Sequence, residues 1–562
     1  MSNDKSRINF FSLLAFIALG ALVFRVAYLQ LLHGDFYSEY ASKQAKGVVE
    51  STRGRGFILD VHGEPLALNK KSASLYVFAG ELNDRKMFVR KLKKNGLRLS
   101  KGTVTRLLKN SGFVWLERNI DIDRAEELQK KIPNIEFLLE EQRLYPERKL
   151  AASMVGFTGT DNKGLGGLEH RYDNILQGRK LQLLSLKDNK GQRIVYEDTR
   201  KEKEIDTQLY LTIDKQLQGL SEEVLRVDTE KYGAKRGIAV AMDAYTGDII
   251  FAASSGGFDP NSYGDFPAKE RKNYPAGYLY EPGSIFKPVL FSLLLDKKNL
   301  NIREMVNCEN GKYKVYNHVI KDVHPNKILT ARQVLIKSSN IGMVKLSDKV
   351  SRKEFYDYLK ASGFGRKTGV SGLGEEDGIL RDVKKWSGLS KPSLSIGQEV
   401  MVTPLQMVQF YSAIANGGRL IKPKVVSKVE NDGNTYRPKF EQDRIFSEET
   451  AKKMQKLLRE VVMYGTGVRA DSSYIQIAGK TGTGQRIDNK TGTYSERDYV
   501  ASFAGIFPAD KPRVAMVVVY ETPRKSIYGG STAAYTFKVL AEQLSMHLGL
   551  KRSYVYESLQ AS

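Results

Sequence analysis

Apolar and polar positions fall into three textures along this chain. Near the start, Ile8 to Leu32 reads INFFSLLAFIALGALVFRVAYLQLL, an apolar run in which Arg25 is the only charge. At about 1.5 Å per residue, a helix of this length exceeds the ~30 Å hydrocarbon core of a bilayer. Arg25 comes late enough to snorkel toward the far interface. The run is long for the apolar stretch of a cleaved signal peptide, and Ala18-Leu19-Gly20 is a poor cleavage site. The pattern predicts an uncleaved single-span anchor at 8–32. A cytoplasmic tail at 1–7 precedes it, with Lys5 and Arg7 keeping the N-terminus inside and the remainder outside.

The second texture, 33–206, is charged and irregular. Short β-like runs (Phe57–Leu59, Leu75–Phe78) alternate with short helical ones (Asp84–Asn95, Asp123–Lys131), the latter stopped by Pro133. Turn clusters at Val61-His62-Gly63-Glu64 and Thr160-Asp161-Asn162-Lys163-Gly164 interrupt it. This predicts an elongated α/β module without visible catalytic groups.

The third texture, 207–549, brings apolar strands at Gly237–Met242, Asp248–Ala253, Tyr474–Ala478, Tyr499–Phe507 and Arg513–Tyr520. Between the early and late strands lie long helical stretches, including Thr330–Lys349 and Thr403–Asn416. The last opens Thr403-Pro404-Leu405-Gln406: an N-cap hydroxyl, a proline at the first helical position and a glutamine at N3. Strands at both ends with helices between predict one mixed sheet assembled from distant segments and covered by helices, an α+β layered domain. A tail at 550–562 follows.

Composition narrows the class. The chain has 562 residues, 41% hydrophobic and 27% charged, which excludes a disordered, collagen-like or multi-span membrane protein. Cys308 is the single cysteine, so no internal disulfide and no cysteine-based zinc site is expected. The six histidines are scattered without an H-E-x-x-H or similar pair, so neither a metal nor a cofactor is expected. The net charge of +24 points to anionic surroundings. No nucleic-acid-binding motif accompanies it, and nucleic acid is not expected as a partner.

The candidate chemistry sits in three short stretches. In Glu281-Pro282-Gly283-Ser284-Ile285-Phe286-Lys287, Pro-Gly makes a turn and a helix can start with Ser284 in its first turn. Residues three apart share a face, so the Lys287 amine can approach the Ser284 hydroxyl. A serine becomes a useful nucleophile when a neighbouring base takes its proton, and a desolvated lysine beside another cation is such a base. The helix N-terminus also aims N–H groups at developing oxyanion charge. Alone, S-x-x-K is a weak signal, and Ser284 taken by itself reads first as a capping serine.

The second stretch, Lys337-Ser338-Ser339-Asn340, falls inside a helical pattern where serine and asparagine are poor formers. It reads either as a helix kink or as a hydroxyl that relays a proton, Ser338, with an amide that orients a substrate peptide, Asn340. The third is Ile475-Gln476-Ile477-Ala478-Gly479-Lys480-Thr481-Gly482-Thr483-Gly484. Alternation before Gly479 predicts a strand, the glycines admit another backbone, and Lys480 with Thr481 and Thr483 makes a donor-rich edge for a carboxylate. A P-loop is excluded because Tyr474 occupies the earlier glycine position. A second Lys-Thr-Gly-Thr at 490–493, with no strand before it, reads as a hairpin loop.

Ser-x-x-Lys, Ser-x-Asn and Lys-Thr-Gly-Thr in this order resemble the active site of penicillin-binding proteins and serine β-lactamases. The resemblance runs over nearly the whole chain. Arg53 to Ala67 (RGRGFILDVHGEPLA), Arg143-Leu144-Tyr145-Pro146, and Gly166-Gly167-Leu168-Glu169 with Tyr172-Asp173 are similar to the non-catalytic pedestal of class B penicillin-binding proteins. Ser395-Ile396-Gly397-Gln398, Val402 to Gln406, Ala501 to Gly505 and Tyr528-Gly529-Gly530 are similar to that family's catalytic domain. The septal, cell-division type is the best match; the elongation-specific type is the alternative. Val61-His62 departs from the family's usual Arg-Asn, Ile285 replaces a common threonine and Gly484 a common alanine.

The resemblance implies a pedestal (33–206) of the dimerisation type and a β-lactamase-like transpeptidase domain (207–549). It implies that Ser284 is acylated by a D-Ala-D-Ala stem peptide, with Lys287 as base and Ser338 and Lys480 passing the proton to the leaving D-Ala. Asn340 would hold the acyl-peptide amide, and Lys480, Thr481, Gly482 and Thr483 the terminal carboxylate. N–H groups of Ser284 and Thr483 would form the oxyanion hole. An amine of a neighbouring stem then completes a peptidoglycan cross-link, and β-lactams acylate the same serine. No glycosyltransferase motif precedes the catalytic domain, so a membrane glycan polymerase of the SEDS type and other division proteins are the implied partners. A lactamase or carboxypeptidase would share the motifs without needing the pedestal; a non-catalytic division scaffold would share the architecture without needing the intact site.

Overall fold

The computed structural model describes residues 2–33, 49–109, 112–187, 193–197, 207–487 and 493–550. The helix Ser2–Ala27 runs on through a π-helical turn, Tyr28–Leu32. Its exposed segment Phe10–Gln30 is long and apolar enough to cross a membrane.

The chain forms two compact units, the first of which includes the anchor helix. One comprises Met1–Gly54, Lys71–Gln142 and Gly178–Glu204; the other comprises Arg55–Lys70, Arg143–Gln177 and Ile205–Ser562. In the first, the end of strand Pro65–Phe78 pairs antiparallel with Phe113–Ile120 (Val77 opposite Val114) and also pairs with Glu136–Leu144. Leu75, Val77, Val114 and Leu116 form its core with Phe88, Val89 and Leu92 of helix Arg85–Lys94 and Leu128 of helix Ile122–Lys131. Asp84 caps the first of these helices by accepting from Met87 N, as the polar residue before an apolar-periodic run should. Leu75–Phe78 and both helical runs thus form where the pattern puts them.

The larger unit is built on a five-stranded sheet: β1 (Arg236–Asp243), β2 (Ile249–Ser254), β3 (Ala478–Ile487), β4 (Tyr494–Phe507) and β5 (Val514–Glu521), in the order β2-β1-β5-β4-β3. All four of its pairings are antiparallel. The same unit carries a parallel pairing elsewhere, where Gln208–Leu211 runs beside Phe57–Leu59.

Period-two alternation divides the sheet's side chains between two cores. Val240, Met242, Val517 and Val519 face one core, and Ala239, Ala241, Met516, Val518 and Tyr520 face the other. Helix α5 (Pro404–Ala415), buried along its whole length, fills the first face. Helices α1 (Lys215–Tyr232) and α7 (Ala533–His547) fill the second through Leu217, Leu225, Phe537, Leu540 and Leu544. The capping box at the start of α5 is present: the Thr403 hydroxyl accepts from Gln406 N, and the Gln406 amide accepts from Thr403 N. Other helices of this unit include α2 (Lys287–Lys297), α3 (Ala331–Ile336), α4 (Asn340–Leu346) and α6 (Glu448–Tyr464).

Three of the sequence motifs read as pedestal meet inside this larger unit. Arg55 donates from Nε to Glu169 Oε2 at 2.6 Å and from Nη1 to Asp173 Oδ1 at 2.8 Å. Arg143 donates from Nε to Glu169 Oε1 at 2.7 Å, and the Tyr145 hydroxyl bonds the same oxygen at 3.2 Å. Glu169 is fully buried and Arg55 nearly so. Burial alone would depress the Arg55 guanidinium, but Glu169 and Asp173 hold it above its ordinary value.

Two predicted elements differ. The helical run Thr330–Lys349 is broken into α3 and α4 at Lys337-Ser338-Ser339, with Ser338 at φ +60°. There the Ser339 hydroxyl caps α4 by accepting from Gly342 N, which is the local competition expected of serine in a helix. The strand expected over Tyr474–Ala478 begins only at Ala478. Ile475 and Ile477 are buried as their alternation demands, but the ladder starts with Ala478 opposite Ile506. Burial periodicity marks which side chains face the core; only backbone pairing makes a strand. Positions 490–492 of the second Lys-Thr-Gly-Thr lie outside the described residues.

Candidate active site

The Ser284 turn is fixed by its neighbours' backbones. Gly283 has φ +55° and opens a 3-10 turn, Gly283–Phe286, that leads directly into α2. Its N–H donates to Gly397 O at 3.0 Å, and a side chain at Gly397 would meet Gly283 O at 2.1 Å, so the two loops touch only because position 397 is glycine. The buried Tyr411 hydroxyl of α5 donates to Ile285 O at 2.9 Å, holding the turn from below. Pro288 sits in the first turn of α2, where its missing N–H costs nothing.

Lys287, the first residue of α2, is fully buried. Its ammonium donates to Ser338 O at 2.6 Å, to Asn340 Oδ1 at 2.7 Å and to Ser338 Oγ at 3.2 Å. Lys480, on β3 and also fully buried, donates to the same Ser338 Oγ at 2.8 Å and to Thr481 O at 3.2 Å. One hydroxyl therefore lies between two lysines. Burial lowers Lys287 to about 7, against the opposing pull of Asp322. Burial, and then the positive Lys287, hold Lys480 well below its ordinary value. The positive φ of Ser338 in the break between α3 and α4 is what aims its hydroxyl at this point.

The Lys-Thr-Gly-Thr stretch lies within β3, paired with β4 so that Lys480 faces Ala504 and Thr483 faces Ala501. Gly482 is required here: a Cβ would meet Ser502 Oγ at 2.4 Å and Pro282 O at 2.9 Å. A Cβ on Gly283 would likewise lie 3.0 Å from Thr483 O, so the strand runs against the Ser284 turn. The Thr481 hydroxyl pairs with Thr466 Oγ1 at 2.6 Å, and Thr483 Oγ1 accepts from Gly529 N at 3.3 Å.

Of the expected residues, Lys287, Ser338, Asn340 and Lys480 are joined by direct hydrogen bonds, and the backbone sets Ser284, Thr481, Gly482 and Thr483 beside them. Ser284 is half-buried, and among the described residues its hydroxyl makes no hydrogen bond; the Lys287 ammonium is turned to Ser338 and Asn340 instead. Asn340 donates from Nδ2 to Lys321 O at 2.9 Å, so both ends of its amide are engaged.

Sequence reasoning missed two residues. Asp322 accepts from Asn340 N at 2.6 Å, Ile341 N at 3.0 Å and Ser339 Oγ at 2.6 Å, which builds the start of α4 and places a carboxylate near Lys287. Glu281, three residues before the serine, accepts from Glu399 N at 2.9 Å and Tyr494 Oη at 3.1 Å, and burial raises it to about 7. Neither belongs to a pattern that spacing exposes, although Glu281 directly precedes the Pro-Gly turn.

The arrangement supports acyl transfer: a serine at a helix start, two buried amines of lowered basicity, and a hydroxyl bridging them. Known proteins agree. Residues 237–542 match the penicillin binding protein transpeptidase domain, and residues 50–211 match the penicillin-binding protein dimerisation domain. Among curated relatives, the peptidoglycan D,D-transpeptidase FtsI of Escherichia coli K12 is 29% identical over 531 residues, covering 93% of this chain and 88% of that protein. Penicillin-binding protein PbpB of Mycolicibacterium smegmatis is 32% identical over 460 residues, covering 79% of this chain and 71% of the other. Among solved structures, penicillin binding protein 3 of Mycobacterium tuberculosis in complex with aztreonam superposes with a TM-score of 0.71 at 26% identity, covering 90% of this chain and 98% of that one.

Proposed function

The chain belongs to the penicillin-binding protein transpeptidase family, and from that premise we propose that Ser284 is its nucleophile. The protein is a class B peptidoglycan D,D-transpeptidase of the septal, FtsI type. Its elongation-specific and scaffold alternatives are not favoured: similar relatives carry the names FtsI and PenA, and both are named as peptidoglycan D,D-transpeptidases.

In the proposed reaction a neutral Lys287 takes the proton of Ser284 as its oxygen attacks the penultimate D-Ala carbonyl of a stem peptide. The N–H groups of Ser284 and Thr483 receive the oxyanion. Ser338, shared by Lys287 and Lys480, returns the proton to the departing D-Ala amine. Lys480, Thr481 and Thr483 hold the substrate carboxylate, with Gly482 keeping the strand close to the turn, and Asn340 orients the peptide. An acceptor amine from a second stem then resolves the acyl-enzyme. The observation that carries this reading is the Ser338 hydroxyl lying 2.8 Å from Lys480 Nζ and 3.2 Å from Lys287 Nζ, both amines fully buried.

The helix Phe10–Gln30 is the membrane anchor of this scheme. Lys5 and Arg7 support a cytoplasmic N-terminus and an external catalytic unit. A SEDS-type polymerase is the fitting membrane partner because this chain carries no glycan-polymerising motif. The test is labelling of membranes with a fluorescent penicillin. Wild type should carry a long-lived label and Ser284→Ala none; rapid turnover would indicate a hydrolase, and no label on folded wild type would refute the nucleophile.

A further inference from the structure

Away from the active site, two of the scattered histidines converge on one carboxylate. His62 Nε2 lies 3.1 Å and His547 Nε2 2.8 Å from the same atom, Asp214 Oδ2. The three donor atoms lie within 4.8 Å of one another. We propose that His62, Asp214 and His547 form a binding site for a first-row divalent cation, with zinc the best match.

The geometry is preorganised from three remote segments. Asp214 caps α1 through Oδ1, which accepts from Gln216 N at 2.9 Å and Leu217 N at 3.0 Å, leaving Oδ2 facing the histidines. The turn carrying His62 is tied to the same helix start: Val61 N donates to Ile213 O, and Asp60 accepts from both His62 N and Lys215 N. His547 is the last residue of α7. The nearest ammonium in sequence, Lys215, is drawn off to Glu147 at 2.7 Å and Glu64 at 3.8 Å.

Two imidazole nitrogens and a carboxylate oxygen are the borderline donor set that zinc prefers. Bonds of about 2.0–2.2 Å to a tetrahedral ion would set the donors roughly 3.3–3.6 Å apart; the two histidine–Asp214 separations are 2.8 Å and 3.1 Å, and all three donor atoms lie within 4.8 Å. Asp214 is buried, with its side chain 6% exposed, whereas His62 is 62% and His547 31% exposed. The site thus has a fixed floor and an open fourth position for water. Because the ligands come together only in the folded chain, the ion would join the end of α7 to the start of α1 and stabilise the native state.

The test uses untagged, full-length protein in detergent, stripped with a chelator and titrated with Zn2+ against a chromophoric competitor. One equivalent per chain should bind, raise the Tm and, with Co2+ in its place, give visible d–d absorption. His62→Ala and His547→Ala should each weaken binding by at least the ~10–100-fold that loss of a mere supporting hydrogen bond costs metal sites, and the double variant should abolish it. Penicillin acylation of the variants in chelator checks that they fold. Equal zinc binding by the double variant, an adventitious ion only on the other four histidines, would overturn the site; so would a wild type that binds none, whose histidines then serve Asp214 as hydrogen-bond donors alone.

Discussion

The larger unit buries cations in two places and treats them in opposite ways. Around Glu169, the guanidiniums of Arg55 and Arg143 each reach a carboxylate oxygen at 2.6–2.7 Å, and Arg55 keeps its charge above its ordinary basicity. Around Ser338, Lys287 and Lys480 are equally buried, but neither forms an ion pair; carbonyls, an amide and a hydroxyl are their partners. Asp322, the carboxylate that acts on Lys287, reaches it only through space, its own oxygens being taken by Ser339, Asn340 and Ile341. Both lysines therefore sit below their ordinary basicity. A paired guanidinium holds segments together; an unpaired buried amine gives up its proton and becomes a base.

Removing the amine tests the second half of this contrast most severely. Lys287→Met keeps a straight apolar stem in a fully buried position and deletes the base together with its hydrogen bonds to Ser338 and Asn340. Penicillin acylation, followed by stopped flow, should slow by about 10²–10⁴-fold, while thermal unfolding stays near wild type. A large fall in Tm with acylation preserved would reverse the roles assigned to the two clusters. Glu169→Gln should do the opposite. It leaves Arg55 and Arg143 buried beside a neutral amide, at a cost of about 3–5 kcal/mol in denaturant unfolding, with the acylation rate per folded molecule retained.

The proton on Lys287 gives the contrast a pH axis. With the folded amine at about 7, acylation should rise roughly tenfold per pH unit below that value and level off above it. The unfolded lysine keeps its proton to about 10.4, so the unfolded chain binds more protons between the two values. This group's contribution to stability accordingly increases with pH across that window. A flat acylation profile between pH 5 and 8 would remove Lys287 as the base.

How much of this was legible follows from how each feature is encoded. Ser284 with Lys287, and Lys480 through Thr483, are contiguous, and a short motif carries both residue type and spacing. Ser338 was legible as a poor helix former, with its two readings reconciled: the kink is the means by which the hydroxyl reaches the lysines. Arg55, Arg143 and Glu169 were visible as motifs, yet nothing in the spacing pairs residues 114 apart such as Arg55 and Glu169. His62 showed as part of a turn cluster and as a departure from the family's pattern, and Asp214 lies 152 residues from His62 and 333 from His547 along the chain. Contacts of that range belong to the folded sheet and helices, and a linear pattern does not record them.

Asp322 offers the finest adjustment of the comparison, because it acts on both terms at once. Its carboxylate caps α4, and its charge favours the protonated form of Lys287 without touching it. Asp322→Asn keeps an oxygen for the Asn340 and Ile341 N–H groups but replaces a charged cap by a neutral one, a change worth about 0.5–1 kcal/mol of stability. Losing the negative charge should also move the acid limb of the acylation profile to lower pH, since Lys287 then releases its proton more readily. A shift to higher pH would reverse the sign assigned to Asp322, and no shift would mean that burial alone sets the basicity of Lys287. The carboxylate would then belong with Glu169, as a device that holds segments together and leaves the chemistry to the lysines.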